Sequence, residues 1–343
     1  MNFNIQLFAE NLQNTTATMS PEMKTFYEKR LIDQAEPRLV HDQFADYYPV
    51  PQNGGKTIEF RKYDSLPKAT TPLTEGVTPD GSGISVSYIT KELAQYGDYT
   101  TVSDMLDLTA IDDVVLEITD RHGSNMGLTL DTVTREVLAG GTNVLYCPKI
   151  ATDGTETAVT ARASLDATCL LTVKQVFRAA AILKAANAPK INGYYAGIIH
   201  PDCSYDLMSD PKWVNVKTYS DPDGIYEGEI GRIEGVRFVE TSEAKVFTHA
   251  GKDYETGTTS SGTVTPKASA RDVYSTLILG ADAYGVTEIT GGGLQHIVKQ
   301  LGSAGTADPL DQRATAGWKA TKVAERLVEA YMVRIETCST FNS

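Results

Sequence analysis

The sequence predicts an α+β fold, and three observations support this class. A β-rich stretch punctuated by turns runs from Asn53 to Ser103. A stretch with helical periodicity, Leu106 to Ala139, follows it directly, and a second helix pattern with several short strand patterns lies beyond Thr172. A two-stranded ribbon is at best marginally stable alone in water, so we expect the β-rich stretch to rest on another part of a structure, most simply another copy of the chain.

The β-rich stretch is predicted to form a ribbon with a long loop at its tip. Lys56 to Tyr63 alternates, with Ile58 and Phe60 on one face. Asp64 to Asp80 holds three prolines and a glycine among threonines, which is typical of a loop. Ile84 to Leu93 alternates again, and Tyr96 to Val102 is a third β-prone run. The apolar positions of the second run are Ile84, Val86 and Tyr88.

The remaining elements follow from helix and strand signals. The long helix is expected to close at Gly140-Gly141. Two further helices are predicted, one from a capping box at Thr172 to Asn187 and one from Asp202 to Met208 with Asp202 as its N-cap. Another helix is predicted from Pro21 to Ala35, after Ser20. Strands are predicted at Tyr194 to Ile199, Val236 to Glu240, Val246 to Phe247, Tyr274 to Leu279 and Leu294 to Lys299. Periodicity leaves helix and strand open for Ala320 to Tyr331.

Composition and charge argue against several classes of protein. The 343 residues carry a formal net charge of −13, and sequence-specific DNA binding needs a basic footprint. No apolar window approaches the length of a transmembrane helix, and the N-terminus lacks the pattern of a secretory signal. None of the cysteines is in CxxC spacing, so we expect reduced thiols, several of them buried. They are Cys147, Cys169, Cys203 and Cys338.

Motifs of enzymes and metal sites are weak in this sequence. It contains no GxxxxGK[ST] loop, no GxSxG and no HExxH. The best catalytic candidate is the thiol of Cys203 beside His200, although a strand-to-helix junction capped by Asp202 explains this cluster better. His122 lies on the apolar face of the long helix and is interpreted as a packed core histidine. A group of carboxylates is interpreted as surface charge rather than a cation site: Asp282, Glu288, Asp308 and Asp311. We therefore predict no catalytic residue, no cofactor and no metal.

Several runs of sequence resemble a known family. They are SPEMKTFY from Ser20, NGGKTIEFRKY from Asn53, PKATTPLTEG from Pro67, QYG from Gln95, LDLT from Leu106, GWK from Gly317 and YMVRIE from Tyr331. Together with the order of the elements, these runs resemble the podovirus-type coat proteins among the major capsid proteins of tailed bacteriophages. The similarity covers most of the chain.

The resemblance implies a tailed-phage major capsid fold in four parts. Residues 1–52 would be an N-terminal arm and residues 53–103 an extended β-loop. Residues 104–189 with 300–343 would be a peripheral domain containing the long spine helix, and residues 190–299 an axial domain. The family has no catalytic site. Some relatives cross-link through a lysine and an asparagine, but no such pair is assigned here, and the lysines of the ribbon are interpreted as ordinary loop charges: Lys56, Lys62 and Lys68.

The resemblance also implies a function, which is self-assembly into the icosahedral phage head that encloses double-stranded DNA. Expected partners are other copies of the chain in pentamers and hexamers, a portal, a scaffolding protein and DNA held non-specifically, with no membrane. The expected location is the phage head, after assembly in the host bacterial cytoplasm. Met1 and the lack of a long helical extension predict no fused scaffold.

The alternatives are a tail or decoration protein and, from another class, a soluble hydrolase built around His200 and Cys203. In the shell interpretation the ribbon interlocks subunits, and its apolar side is expected to rest on a neighbour. The predicted subunit contacts are Ile58, Phe60, Val86 and Tyr88.

Overall fold

A computed structural model describes most of the chain. The described residues are 31, 39–49, 55–63, 66, 68–73, 75–78, 81, 83–109, 114–151, 153–210, 213, 229–233, 235–252, 271–288, 294–299, 302–303 and 308–342. Apart from Leu31, the helix predicted over Pro21 to Ala35 lies outside these residues, and the Gly/Ser/Thr-rich stretch 253–270 lies outside them as well.

The α-helices whose bounds are described confirm the predicted helical stretches. They are α1 Asp104–Thr109, α2 Val114–Ala139, α3 Val173–Ala185 and α4 Pro201–Ser209. The predicted long helix thus corresponds to α1 and the 26-residue α2, which ends before Gly140-Gly141 as expected. No helix in the described part of the chain is both long and apolar enough to cross a membrane.

The strands confirm the predicted β-rich segments and decide the open question near the C-terminus. In chain order they are β1 Asp46–Tyr48, β2 Thr57–Tyr63, β3 Val86–Glu92, β4 Ala94–Ser103, β5 Val144–Tyr146, β6 Lys149–Ile150, β7 Glu156–Thr157, β8 Tyr195–Ile199, β9 Glu229–Ile233, β10 Val236–Glu240, β11 Val246–Phe247, β12 Val273–Leu279, β13 Tyr284–Thr287, β14 Leu294–Lys299, β15 Arg313–Lys322, β16 Ala324–Arg326 and β17 Met332–Thr337. The stretch Ala320 to Tyr331 is therefore the end of β15, then β16 and a 3₁₀ turn, and not a helix.

The chain divides into two compact units, each built from several segments. The first unit comprises Met1–Arg38, Gln95–Thr129 and Ile289–Thr321. The second comprises Leu39–Ala94, Leu130–Glu288 and Lys322–Ser343. These ranges differ from the four parts implied by the resemblance, so the division into arm, β-loop, peripheral domain and axial domain stays a prediction.

The first unit contains a three-stranded sheet in the order β14-β15-β4. Its strands β15 and β4 approach closely at two glycines. A Cβ atom at Gly97 would lie 2.7 Å from the carbonyl oxygen of Trp318, and one at Gly317 would lie 2.8 Å from that of Asp98. The Trp318 indole N–H donates to Asn125 Oδ1 of α2 at 3.1 Å. The QYG and GWK runs therefore meet at this close approach, which only glycine permits.

The second unit is built around a seven-stranded mixed sheet. Its order is β5-β17-β12-β8-β10-β9, and β11 pairs with β12. Strands β8 and β12 are buried along their whole lengths, as expected of strands covered on both faces. One face packs on α3, and the other packs on β13, β16 and the end of α2. The sheet joins β5 and β17 to strands of the predicted axial domain, which is why the compact units and the predicted parts differ.

Two helix caps differ from the prediction. The capping box at Thr172 does not form, and the backbone N–H of Val173 donates to the carboxylate of Asp210 at 3.1 Å instead. The N-cap of α4 is His200 rather than Asp202, because the His200 Nδ1 atom accepts from the Asp202 backbone N–H at 3.2 Å. At the N-terminus of each helix, a backbone N–H of the first turn has an acceptor. The acceptor is a residue that the local sequence pattern does not identify.

Candidate assembly surface

The ribbon of β2 and β3 has two different faces, which are fixed by its register. Phe60 lies opposite Ile89, and Arg61 lies opposite Tyr88. Residues directly opposite each other in an antiparallel pair point to the same face. The inward face therefore carries Ile58, Phe60 and Ile89, whereas the outward face carries Glu59, Arg61, Val86, Tyr88 and Thr90.

The inward face packs against other residues of the second unit, to which the ribbon itself belongs. Phe60 is fully buried, and its ring meets that of Tyr48 edge-on with centroids 4.9 Å apart. Ile58 is buried in the same cluster, and Lys91 reaches Glu325 at 3.2 Å. The other apolar members of the cluster are Ile89, Leu93, Val323, Leu327 and Val328. The base of the ribbon is therefore fastened to its own subunit.

The outward face and the tip are exposed. Tyr88 keeps 58% of its surface accessible, and the Arg61 guanidinium lies 5.8 Å from the centre of its ring. Large apolar side chains are also exposed along the loop that joins β2 to β3. They are Leu66, Leu73, Val77 and Ile84. Five large apolar side chains, Tyr88 included, are thus exposed within residues 66–88, and exposed apolar surface of this kind is typical of an interaction surface.

The prediction that the four contact residues form one apolar side is wrong. Ile58 and Phe60 point inward, whereas Val86 and Tyr88 belong to the opposite face. Phe60 has no accessible surface left to offer a neighbour. Contact with a neighbouring subunit therefore stays a prediction for Val86 and Tyr88 alone. Of the loop lysines, Lys56 and Lys68 are exposed and Lys62 is half-buried.

A buried polar network holds the segment 39–49 in the core of the second unit. Asp42 forms an ion pair with the Nζ atom of Lys322, whose side chain is fully buried. The second oxygen of Asp42 accepts a hydrogen bond from the Thr134 hydroxyl of α2 at 2.6 Å. The segment that follows adds β1, which pairs in parallel with β13. Residues 39–49, assigned by prediction to an arm with little core, are thus integral to this unit.

Next to this ion pair lies a second buried contact, between His41 and Asp131. One Asp131 oxygen accepts from the His41 backbone N–H and the other contacts His41 Nδ1, both at 2.7 Å. The Tyr284 hydroxyl donates to the His41 carbonyl oxygen. Burial and the nearby Asp42 carboxylate raise the pKa of Tyr284 well above its usual value, so the hydroxyl stays a donor. The segment is therefore bonded to α2 and to β13.

A second charged network lies at the end of β17. The fully buried Glu336 carboxylate accepts two hydrogen bonds from Arg162, at 2.7 and 2.6 Å, and one from Arg334 at 2.9 Å. Arg334 also donates to the carbonyl oxygens of Ala139 and Gly141, and thus caps the C-terminus of α2. The Arg162 guanidinium stacks 3.5 Å from the ring centre of Phe247. One carboxylate thereby connects α2, β17 and β11.

The His200–Cys203 cluster does not have the geometry of an activated thiol. The Cys203 sulfur is fully buried and lies 3.4 Å from the Thr337 hydroxyl oxygen. Burial raises the pKa of this thiol far above its usual value, which is the opposite of what a nucleophilic thiolate needs. The His200 Nδ1 atom accepts the capping hydrogen bond of α4, and Asp202 accepts from the Tyr274 hydroxyl at 2.6 Å. The cluster serves as a helix cap.

The four carboxylates interpreted as surface charge divide between the two units, and one of them, Asp308, is buried rather than exposed. Asp282 and Glu288 belong to the second unit, and Asp308 and Asp311 belong to the first. Asp308 accepts from the Arg313 backbone N–H at 2.8 Å. In the described part of the chain, no group of three or more histidine, cysteine, aspartate or glutamate side chains is arranged to hold a metal ion.

Two buried histidines lie together in the first unit. The prediction that His122 is a packed core histidine is confirmed, since it is 4% exposed. His296 is also buried and lies opposite Trp318 in the sheet. Burial lowers the pKa of both imidazoles, and burial together with the proximity of His122 lowers the pKa of His296 to about 4. The Asp98 carboxylate raises the pKa of His122 and so offsets part of the lowering that burial causes.

This pair predicts a pH dependence of stability. A histidine with a lowered pKa in the folded state is protonated first in the unfolded state, so its contribution to stability is lost as the pH falls from about 6.5 towards about 4. We expect the urea midpoint of the unassembled protein to fall over this interval. The His296→Asn variant should show a shallower fall, whereas His249→Asn, at a largely exposed histidine, should keep the wild-type slope. Equal slopes of the urea midpoint against pH in all three proteins would contradict the assignment of this pH dependence to His296.

Comparisons with known proteins agree with this picture. A family model described as phage capsid protein matches residues 5–301 of the chain. No curated protein sequence matches it.

Solved structures with a similar fold come from phage capsids. The capsid protein of cyanophage P-SCSP1u aligns with a TM-score of 0.61 and 15% identity, covering 88% of this chain and 89% of that one. The capsid of Ralstonia phage GP4 aligns with a TM-score of 0.60 and 15% identity over 84% of each chain. The capsid of Helicobacter pylori bacteriophage KHP30 aligns with a TM-score of 0.58 and 10% identity, covering 87% and 88%. At these identities the structural likeness shows the fold alone, which is the predicted tailed-phage major capsid fold.

Proposed function

The chain belongs to the phage capsid protein family, and on this premise we propose that its β2–β3 ribbon joins neighbouring subunits of a phage head. The protein is a major capsid protein, and copies of it form the shell. Its family and fold are structural rather than enzymatic. The proposal concerns which surface of the chain makes the contact and which residues it uses.

The observation that supports this proposal most strongly is the contrast between the two faces of the ribbon. The inward face is fixed to its own subunit through Phe60, while the outward face and the tip expose large apolar side chains. A ribbon anchored at its base presents its free surface in a defined direction. The cost of ordering that surface is therefore already met before a neighbour binds.

Charge supports a second copy of the chain as the partner. The stretch from Lys56 to Glu92 contains five cationic and five anionic residues and is neutral, whereas the whole chain carries a net charge of −13. Two acidic subunits repel each other, and a neutral ribbon reduces that repulsion where it crosses the boundary. Many such contacts, each weak, add up to a cooperative shell.

Deleting Asp64 to Asp80 tests the proposal. The deletion removes most of the tip but leaves residues 81–85, and five residues suffice to close an antiparallel ribbon. We expect a folded subunit that fails to form closed shells, or forms shells that dissociate more readily, as seen by electron microscopy and sedimentation. A matched variant that keeps the full length but replaces the exposed apolar side chains by serine should show the same defect. Its positions are Leu66, Leu73, Val77 and Ile84. Normal shells of full stability from both variants would refute the proposal.

A single substitution tests the outward face. Tyr88→Asp adds a charge where we expect apolar contact, and we predict at least a tenfold loss of assembled particles at a given protein concentration, about 1.4 kcal/mol per tenfold change. Because Tyr88 is exposed in the subunit, the thermal midpoint of the unassembled protein should change little. Tyr88→Phe keeps the ring beside Arg61 and should assemble normally. If the two variants assembled equally well, the contact between subunits would not involve Tyr88.

We further propose the partners that a head protein of this fold requires. They are a portal at one vertex, a scaffolding protein during assembly in the host cytoplasm, and DNA enclosed without sequence-specific contacts. The net charge of −13 supports enclosure rather than tight binding of DNA, because the phosphate backbone is attracted only to basic surfaces.

A further inference from the structure

The cysteines of this chain are far apart in sequence but lie together in the core. All four are fully buried in the hydrophobic cluster on the α3 side of the seven-stranded sheet. None forms a disulfide in the structure. They are Cys147, Cys169, Cys203 and Cys338. The capsid function gives no role to such a group of thiols.

The four cysteines meet at the end of β17. The backbone N–H of Cys147 donates to the Glu336 carbonyl oxygen at 3.1 Å. The Cys203 sulfur contacts the Thr337 hydroxyl oxygen at 3.4 Å. Cys338 is the next residue along the chain, so three consecutive residues hold the whole group.

Within this group, Cys169 and Cys338 are the pair placed for a covalent bond. The backbone N–H of Cys338 donates to the carbonyl oxygen of Cys169 at 3.0 Å. A hydrogen bond of this length places the two Cα atoms within about 7 Å of each other, the separation beyond which two cysteines cannot be bridged. Both side chains lie in the same buried cluster. Burial raises the pKa of Cys169 to about 11, and burial with the neighbouring Cys169 thiol raises that of Cys338 to about 12.

We propose that Cys169 and Cys338 are a redox pair that closes to an intramolecular disulfide on exposure to a small-molecule disulfide such as oxidised glutathione, while Cys147 and Cys203 stay reduced. Among the four, Cys169 and Cys338 share a backbone hydrogen bond, whereas the Cys203 sulfur contacts Thr337 and the Cys147 backbone donates to Glu336. The Cys169 sulfur lies 3.5 Å from Asp166 Oδ1, and this contact would be given up in the disulfide. The product would join the segment before α3 to the segment after β17.

The reaction proceeds by two thiol–disulfide exchanges. The thiolate of Cys338 attacks one sulfur of oxidised glutathione, and one glutathione leaves as a thiolate that takes up a proton. The thiolate of Cys169 then attacks the Cys338 sulfur of the mixed disulfide, and the second glutathione leaves in the same way. Two protein thiols are oxidised, and one glutathione disulfide is reduced to two glutathione thiols.

Cys338 is fully buried, so a small molecule reaches it only after a local opening of the short 3₁₀ turn Thr340–Asn342, in which Phe341 is 61% exposed. Its raised pKa keeps the thiolate scarce at neutral pH, so exchange should be slow there and faster at alkaline pH. In a reducing compartment the two thiols stay reduced, and in an oxidising environment they can form the disulfide.

The test oxidises the full-length unassembled chain in glutathione mixtures of rising oxidised fraction at pH 8.5. Free thiols are then alkylated under denaturing conditions, and intact mass and peptide mapping are recorded. We expect a product that takes up two alkyl groups instead of four and has one Cys169–Cys338 linked peptide. Its thermal midpoint before alkylation should be higher, and dithiothreitol should reverse this. Cys169→Ser and Cys338→Ala should abolish the link, whereas Cys147→Ser and Cys203→Ser should keep it.

Several results would overturn this inference. They are four alkylated thiols at the most oxidising mixture, a link that involves Cys147 or Cys203, or a mixed disulfide with glutathione that never resolves. Circular dichroism of each variant verifies that it is folded before oxidation. The outcome is independent of shell formation, because the reaction is measured on single subunits.

Discussion

Replacing Glu336 by glutamine is expected to lower the free energy of unfolding by about 3–5 kcal/mol, because it neutralises the buried carboxylate that the buried Arg334 and the partly exposed Arg162 share. Arg334 is 6% exposed, so bulk water cannot readily solvate its guanidinium in place of the carboxylate. The amide cannot accept from Arg162 with both of its terminal atoms, as the carboxylate does. The loss should extend to the end of α2, whose carbonyl groups depend on Arg334.

Urea unfolding of the unassembled protein measures this effect. Glu117→Gln is the matched control, since it makes the same chemical change in an exposed pair with Arg121 on α2 and should cost no more than about 0.5 kcal/mol. A loss at Glu336 as small as that of the control would mean that the buried network contributes little to stability. Hydrogen exchange should also show faster opening of the amides near Gly140 and Gly141 in Glu336→Gln than in the control.

Local elements of this fold were predictable from sequence because their signals are local. The apolar spacing of α3 and α4, the apolar run of β8 and the β-prone run of β12 are set within a few residues. Phe177 is a limit of that approach, since it fits the apolar stripe of α3 but is 41% exposed. The pattern shows which face of a helix is apolar, but it does not show how much of that face is covered by neighbouring elements.

The sequence did not predict which side chains of β2 and β3 share a face of the ribbon, because a long loop joins the two strands. Alternation within β2 and within β3 is visible, but the register between them depends on a connection of residues 64–85. A shift of one residue moves every side chain of a strand to the other face. Tyr88 and Val86 were therefore grouped with Phe60, whereas the actual partner of Phe60 is Ile89.

The buried networks left no signal in the sequence. His41 and Asp131 are 90 positions apart, and Lys322 and Asp42 are 280 apart. Lysine and aspartate are almost never fully buried unless they are paired, so single positions of this kind predict surface. The convergence of four cysteines is hidden for the same reason, because it depends on the order of strands in the sheet rather than on spacing.

The Asp42→Ala substitution should be the most damaging change near the N-terminal side of the second unit. It leaves the fully buried ammonium group of Lys322 without its carboxylate, and the Thr134 hydroxyl keeps only the long hydrogen bond to the Leu130 carbonyl oxygen at 3.5 Å. Removal of one partner of a buried ion pair costs about 3–5 kcal/mol. We expect that loss in urea unfolding, together with faster proteolysis within residues 39–49, because this segment is held by the same network.

A double variant distinguishes loss of the ion pair from loss of packing. In Asp42→Leu with Lys322→Met, neither charge is buried, and apolar side chains of similar length fill the space. Replacement of a buried pair by apolar residues is often neutral or stabilising, so the double variant should recover most of the stability lost by Asp42→Ala. Recovery would show that the cost of the single change is the unpaired Lys322, and that the capsid subunit needs the segment packed more than it needs the charges. A double variant as unstable as the single one would show instead that the hydrogen bond from Thr134 and the precise shape of Asp42 fix residues 39–49 in the core.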